Sequence, residues 1–260
     1  MITLENLISS FKKLGLSSGD IVMAHSSFKS FSLDGDIIDD GPITVINAIL
    51  KIIGEEGTLV MPTFTPSFCE QFNKLGSGYF DLYNSPSEMG ILSETLRKMN
   101  GVKRSINPIY SIVAYGRYED ELTSVDDKNV FGKSSIFAKL YNLNAKILMI
   151  GVDYDHSFTI SHYVEQKVGC DYRYMKDFSG TIVIKEKKFL DTFTMNVRNL
   201  EKNVIANLNP MGAILEEKGI CKILKIGGSM VKIFNSRDAC DALEKEMKKN
   251  PYILCLFGNN

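Results

Sequence analysis

The strongest constraint on the fold is a repeated succession, over the first 150 residues, of a helical amphipathic stretch followed by a short apolar run. Leu4, Leu7, Ile8, Phe11 and Leu14 recur at helical spacing, and Gly15 follows as a stop signal. Asp20 then leads into Ile21-Val22-Met23-Ala24, which reads as a buried strand. Residues 42–53 repeat the helical pattern through Val45, Ile46, Ile49, Leu50 and Ile53, and stop at Gly54. Gly57-Thr58-Leu59-Val60-Met61 is a second buried strand, ended by Pro62. Ile147-Leu148-Met149-Ile150 is a third, followed by Gly151. This alternation of strand and helix predicts an α/β sheet with parallel content.

After about residue 170 the pattern changes. Thr181-Ile182-Val183-Ile184 and Lys187-Lys188-Phe189 resemble a small antiparallel hairpin, and residues 236–248 a closing helix capped by Ser236 or Asp238. No fixed-period repeat or linker-like stretch divides the chain, so one domain over residues 1–260 is expected. A chain of this length buries roughly 70–75% of its unfolded surface and needs no disulfide or metal. Its 30 Lys+Arg against 31 Asp+Glu give a net charge of −1, which argues against a nucleic-acid footprint. No window approaches the ~18 apolar residues of a membrane span, and the N-terminus lacks the features of a signal peptide. Cys69, Cys170, Cys221, Cys240 and Cys255 form no C-x-x-C pair. They read as reduced thiols in a cytoplasmic protein. With only His25, His156 and His162 as histidines, no metal is expected.

In α/β sheets the ligand cleft lies beyond the carboxyl ends of the strands, which directs attention to residues 25–31, 62–68 and 151–165. The last of these leads from a strand end into a helix, with Ser157 or Thr159 as its expected N-cap. His162 and Glu165 are three apart and share a face of that helix. A carboxylate beside a histidine holds its tautomer and favours its imidazolium, which suits a general base; an ordinary surface pair is the alternative. His25-Ser26-Ser27-Phe28-Lys29 offers hydroxyls and Lys29 for a phosphate, or is a turn with a buried histidine. Lys103-Arg104-Ser105-Ile106-Asn107-Pro108 offers Arg104 and Ser105 for a phosphate or an amide, or places a cation at the surface. No G-x-G-x-x-G follows a strand, no P-loop occurs, and no G-x-S-x-G elbow points to a serine nucleophile. Nothing around Cys170 marks it as activated, so a covalent cysteine mechanism is not expected.

Together these segments resemble the aminoglycoside 3-N-acetyltransferase (antibiotic N-acetyltransferase) family. The matching pieces are Gly19-Asp20 with His25-Ser26-Ser27, Gly54 to Thr65, Phe80-Asp81 with Ser85-Pro86-Ser87, and Arg104-Ser105 with Pro108 and Ser111. Phe131-Gly132 with Ser134-Ser135, Leu148-Met149-Ile150-Gly151 and Thr159 to Glu165 complete the series, in the family's order over roughly residues 18–175. The resemblance implies a three-layer α/β/α sandwich with a mixed, partly parallel sheet, here with a small antiparallel C-terminal extension. It implies transfer of an acyl group from acetyl-CoA or another acyl-CoA to an amine of an amino sugar. It makes His162 the general base and Glu165 its partner, and places Ser27, Thr63, Arg104 and Ser105 along the coenzyme A cleft. The family usually carries histidine where this chain has Asn107.

Such a reaction needs a donor for the oxyanion, and Thr159, Asn107 and backbone amides near Thr63 are candidates. Lys29 joins Arg104 as a phosphate ligand. For the acceptor, Asp153, Asp155, Asp171 and Glu165 would attract a polycationic aminoglycoside, whereas Lys167, Arg173 and Lys176 would hold a pyrophosphate. Asn107 in place of histidine, and the balanced net charge, tip this reading to a nucleotide-linked 3- or 4-amino sugar for surface polysaccharide. An aminoglycoside is the alternative, with a thioesterase or a non-catalytic coenzyme A-binding protein more distant. The expected partners are therefore small molecules, with neither nucleic acid nor membrane, and self-association of the chain stays open.

Overall fold

The computed structural model describes residues 1–69, 78–124 and 128–258. Helix α1 (Leu4–Leu14) opens the chain, with Thr3 and Asn6 forming a reciprocal capping box. Strand β1 (Ile21–Ser26), helix α2 (Pro42–Ile53) and strand β2 (Thr58–Pro62) follow as the pattern predicts. Then come β3 (Tyr79–Asp81), α3 (Ile91–Arg97), β4 (Lys103–Arg104), β5 (Ile112–Gly116), α4 (Glu119–Thr123) and α5 (Ile136–Asn142). Strand β6 (Lys146–Ile150) leads to α6 (Tyr154–Ser157) and α7 (Ser161–Val168). The remainder runs β7 (Arg173–Ile184), β8 (Lys187–Arg198), β9 (Val204–Ala206), α8 (Asn209–Glu217), β10 (Lys222–Ile226), β11 (Ser229–Asn235), α9 (Ser236–Lys249) and β12 (Cys255–Phe257).

The main sheet has the order β10-β11-β6-β1-β2-β5-β4. Its centre, β6-β1-β2, is parallel, and β11, β10, β5 and β4 extend it in antiparallel fashion. Side chains of a strand alternate between faces, and here the alternation feeds two cores. Met23, Val60, Ile147 and Met149 face one, with residues of α5, α7 and α9. Val22, Leu59, Leu148 and Ile150 face the other, with residues of α1, α2 and α3. The expected three-layer α/β/α architecture with a mixed sheet is therefore present.

Three sequence expectations need revision. The hairpin is longer than its apolar stretch suggests: β7 and β8 pair over twelve positions, and β3 adds to β7 in parallel. Strands β10 and β11, after it, join the main sheet, and β9 and β12 pair as a small antiparallel sheet near the C-terminus. The helix caps also differ. Asn235 precedes α9, while Ser236 is its buried first residue and donates to the Leu140 carbonyl. Ile160 precedes α7 without a side-chain cap; neither Ser157 nor Thr159 takes that place.

Gly151 ends β6 at φ +62°, and a Cβ there would meet Ser30 Oγ at 1.8 Å. Only glycine lets the exits of β1 and β6 close on each other, and α6 and α7 leave directly from that junction. Among the described residues no helix is long and apolar enough to cross a membrane.

Candidate active site

Segments following β2 and β6 meet beyond the carboxyl ends of the parallel strands, and a cavity of about 190 Å³ lies between them. Phe64 and Pro66 come from the first segment, and Asp155, Thr159 and His162 from the second. Ile109 and Tyr110 close one side, and Tyr110 belongs to a series of tilted and edge-to-face rings: Phe64–Tyr110 at 4.5 Å, Tyr110–Phe131 at 5.0 Å and Phe131–His162 at 5.2 Å.

His162 sits in the first turn of α7, and its Nδ1 lies 2.5 Å from Glu165 Oε2. Glu165 is 1% exposed, so its charge must be answered inside the protein. Tyr172 donates its hydroxyl to Oε1 at 2.8 Å, and Arg173 Nε lies 2.9 Å from the same oxygen. The Nε–H does not point along that line, so the Arg173 contact is ionic rather than a hydrogen bond. Burial pushes the Glu165 carboxyl up, but Arg173 and His162 outweigh it and hold it down at about 2. The carboxylate is thus ionised, Nδ1–H donates to it, and Nε2 is left as the unprotonated ring nitrogen. With its side chain 20% exposed and lining the cavity, the ring retains access to it.

The electrostatics differ from the sequence expectation in one respect. A neighbouring carboxylate alone would favour the imidazolium. Here burial, then Arg173, lowers the His162 pKa below its ordinary value against the pull of Glu165. Thr159 shares the cavity, and its carbonyl accepts from His162 N at 3.1 Å. Among the described residues its hydroxyl has no hydrogen-bond partner, so it is available to a ligand.

The other expected residues are placed differently. Asn107 does not line this cavity; its Oδ1 accepts from Ile109 N and Tyr110 N at 3.0 and 3.1 Å, fixing the turn that carries Tyr110. An oxyanion would need its Nδ2–H, and Asn107 as a whole stands outside the lining of this cavity. Arg104 is no open phosphate ligand either. It donates to the carbonyls of Ser85 and Thr63 and to the hydroxyls of Thr63 and Ser111, over the ring of Phe80 at 4.7 Å. Burial lowers its pKa to about 10. Thr63 and Ser105 are buried, the first against Ser111 Oγ and the second accepting from Ile112 N. Ser27 is half-buried and Lys29 exposed, just past the end of β1.

Asp153 caps α6 and takes the exposed His156 ring as its partner. Asp155 reaches the cavity while accepting from Leu208 N and from both nitrogens of Asn209, which anchors α8. Lys176 lies on β7 over the ring of Phe178 at 5.2 Å. Spacing reveals neither the place of Tyr172 on Glu165 nor that of Arg173, because the turn at Gly169 reverses the chain between them. Among the described residues no three His, Cys, Asp or Glu side chains converge as a metal would require.

A histidine whose tautomer is set by a buried glutamate three residues along the same helix lies inside a longer match. The model of the family described as aminoglycoside 3-N-acetyltransferase matches residues 23–248. The chain belongs to this family. It is an acyltransferase. It is 27% identical over 260 aligned positions to the SPbeta prophage-derived aminoglycoside N(3')-acetyltransferase-like protein YokD of Bacillus subtilis, covering 94% of this chain and 91% of that protein. It is 26% identical to aminoglycoside N(3)-acetyltransferase IV from Salmonella, covering 95% and 88%. Crystal structures of YokD and of the acetyltransferase AAC(3)-IVa superpose with TM-scores of 0.81 and 0.78, each at 25% identity. They span 96% and 97% of this chain, and 94% and 90% of theirs.

These relatives overturn the expectation of a nucleotide-linked amino-sugar acceptor for polysaccharide, since their names point to aminoglycosides. The physical ground for that expectation also fails. Lys167 is paired with Glu244 at 2.7 Å, Arg173 faces Glu165, and Lys176 lies over Phe178, so none of the three lines the cavity.

Proposed function

We propose that the chain, as one catalytic domain, transfers an acetyl group from acetyl-CoA to an amino group of an aminoglycoside. The observation that carries this reading is the His162–Glu165 pair, with Nδ1 committed to the carboxylate and Nε2 left as a base at a cavity wall. An aminoglycoside amine enters as an ammonium ion. His162 Nε2 takes one proton, directly or through a water. The freed nitrogen attacks the thioester carbonyl, the N–C bond forms, and the carbonyl oxygen becomes an oxyanion. The Thr159 hydroxyl lines the same cavity and is the donor assigned to it in this reading, and such a donor contributes ~3–4 kcal/mol to the transition state. The C–S bond then breaks, the coenzyme A thiolate takes the proton held on His162, and the new amide nitrogen gives up its second proton to the freed Nε2 and from there to solvent. Asp155 and Asp153, exposed beside α6, supply negative charge for a cationic acceptor.

The test is incubation of the purified protein with acetyl-CoA and a panel of kanamycin, gentamicin and apramycin, following thiol release and product mass. A singly acetylated aminoglycoside formed with stoichiometric thiol is the expected result. Thiol release at full rate without an acceptor would make the protein a thioesterase. Acetyl-CoA binding with neither reaction would make it a binding protein.

A further inference from the structure

Glu165 is gripped from two sides by consecutive residues that the reaction described above does not use. Tyr172 immediately precedes β7 and Arg173 opens it, beyond the turn that ends α7, and both reach back to Oε1. Arg173 is itself almost enclosed, with a side chain 10% exposed. Its Nη1 donates to the Asn196 carbonyl at 3.1 Å, and its Nη2 lies 3.2 Å from His162 Nδ1. An N–H of Nη2 is directed at Nδ1, the ring nitrogen that Glu165 Oε2 also engages, so the guanidinium charge sits directly against the ring.

We propose that Arg173 is a positioning residue for the reaction: its guanidinium fixes Glu165 as a carboxylate and keeps the His162 ring neutral, with the ring proton on Nδ1. The argument is one of charge. Glu165 and Arg173 cancel, so a neutral imidazole leaves the buried cluster without net charge. An imidazolium would add a second cation beside the guanidinium in a place that solvates it poorly. The groups facing His162 from elsewhere do not offset this. Phe131 presents a ring, and Tyr110 is a phenol that burial holds protonated, its pKa raised to about 12. Asp155 is engaged by α8, and His156 is paired with Asp153. When His162 takes the amine's proton, Arg173 makes the resulting cation ready to release it to the leaving thiolate. The catalytic consequence rests on the function proposed above; the effect on the ring does not.

The test is a titration followed by NMR of the histidine Cε1–H signals, practicable because the chain has three histidines. It is run on wild type, Arg173→Gln and Arg173→Lys, alongside the pH profile of kcat/KM. In wild type, His162 should titrate below the ordinary imidazole value of ~6.5. In Arg173→Gln the His162 pKa should rise by ~1–3 units, the range for loss of a charge within 4–6 Å. The acid limb of kcat/KM should move up with it, and Arg173→Lys should restore most of the shift. An unmoved His162 in Arg173→Gln overturns the proposal, as does a wild-type His162 that titrates above the ordinary imidazole value of ~6.5. Should Arg173→Gln not fold, the wild-type His162 titration and the Lys variant decide. If no acetyl transfer is found, the proposed function fails while the titration still judges Arg173.

Discussion

Glu165 is the side chain on which the site turns, because a carboxylate so deeply buried persists only through His162, Arg173 and Tyr172. Tyr172→Phe removes one neutral donor. It should cost ~1–3 kcal/mol of stability, as for a buried acceptor left short of a partner. Its effect on kcat should be smaller than that of any His162 change, which denaturant unfolding and steady-state kinetics together will show. Cys170 illustrates the opposite case. Burial pushes its thiol up to about 11, so little thiolate exists near neutral pH and direct attack by the amine needs none. Cys170→Ala should keep most of its kcat, and mass spectrometry after mixing with acetyl-CoA alone should find no acylated cysteine. The His162–Glu165 pair was legible from sequence because the two lie on one helix. Arg173 was legible only as a cation nearby. Its true partner became visible once β7 folded back against α7.

Among the elements, the loops after β2 and before β5 are held by Arg104, which ties Thr63, Ser85 and Ser111 together. A guanidinium with its donors spent in this way is a structural pin. Arg104→Met should therefore take the guanidinium donor from the Ser85 carbonyl and from the buried Thr63–Ser111 cluster, and destabilise the protein by more than ~2 kcal/mol. In thermal unfolding its Tm should fall, while calorimetry on the folded fraction should show acetyl-CoA affinity close to wild type. A large loss of affinity with unchanged Tm would return Arg104 to the coenzyme. The apolar runs at β1, β2 and β6 and the periodic stretches at α1 and α2 were readable because burial on both faces leaves an unmixed pattern. The first half of β7 and the whole of β10 were not, since they are partly exposed and carry Lys176, Asp177, Lys222 and Lys225 among their apolar positions. Their assignment depends on partners far along the chain.

For the molecule as a whole, the balanced net charge misdirects the choice of acceptor. Lys167 belongs to Glu244, seventy-seven positions away, and such pairings cannot be read from local sequence. Buried His25 has a global consequence. Burial lowers its pKa from 6.5 to about 4, so below pH ~6.5 the unfolded chain takes up a proton that the folded chain refuses. The contribution is complete above that pH and is lost as pH falls toward 4, about 3 kcal/mol in all. Denaturant midpoints measured between pH 7 and 4 should fall, and His25→Gln should flatten that fall. The account's central claim is that His162 is the base of an aminoglycoside acetyltransferase, and paired substitutions test it most directly. At saturating acetyl-CoA and aminoglycoside, His162→Ala should lose ~10²–10⁴ in kcat, while His156→Ala, at the exposed rim of the same cavity, should stay within a few-fold of wild type. A crippled His156→Ala beside a near-normal His162→Ala would contradict it.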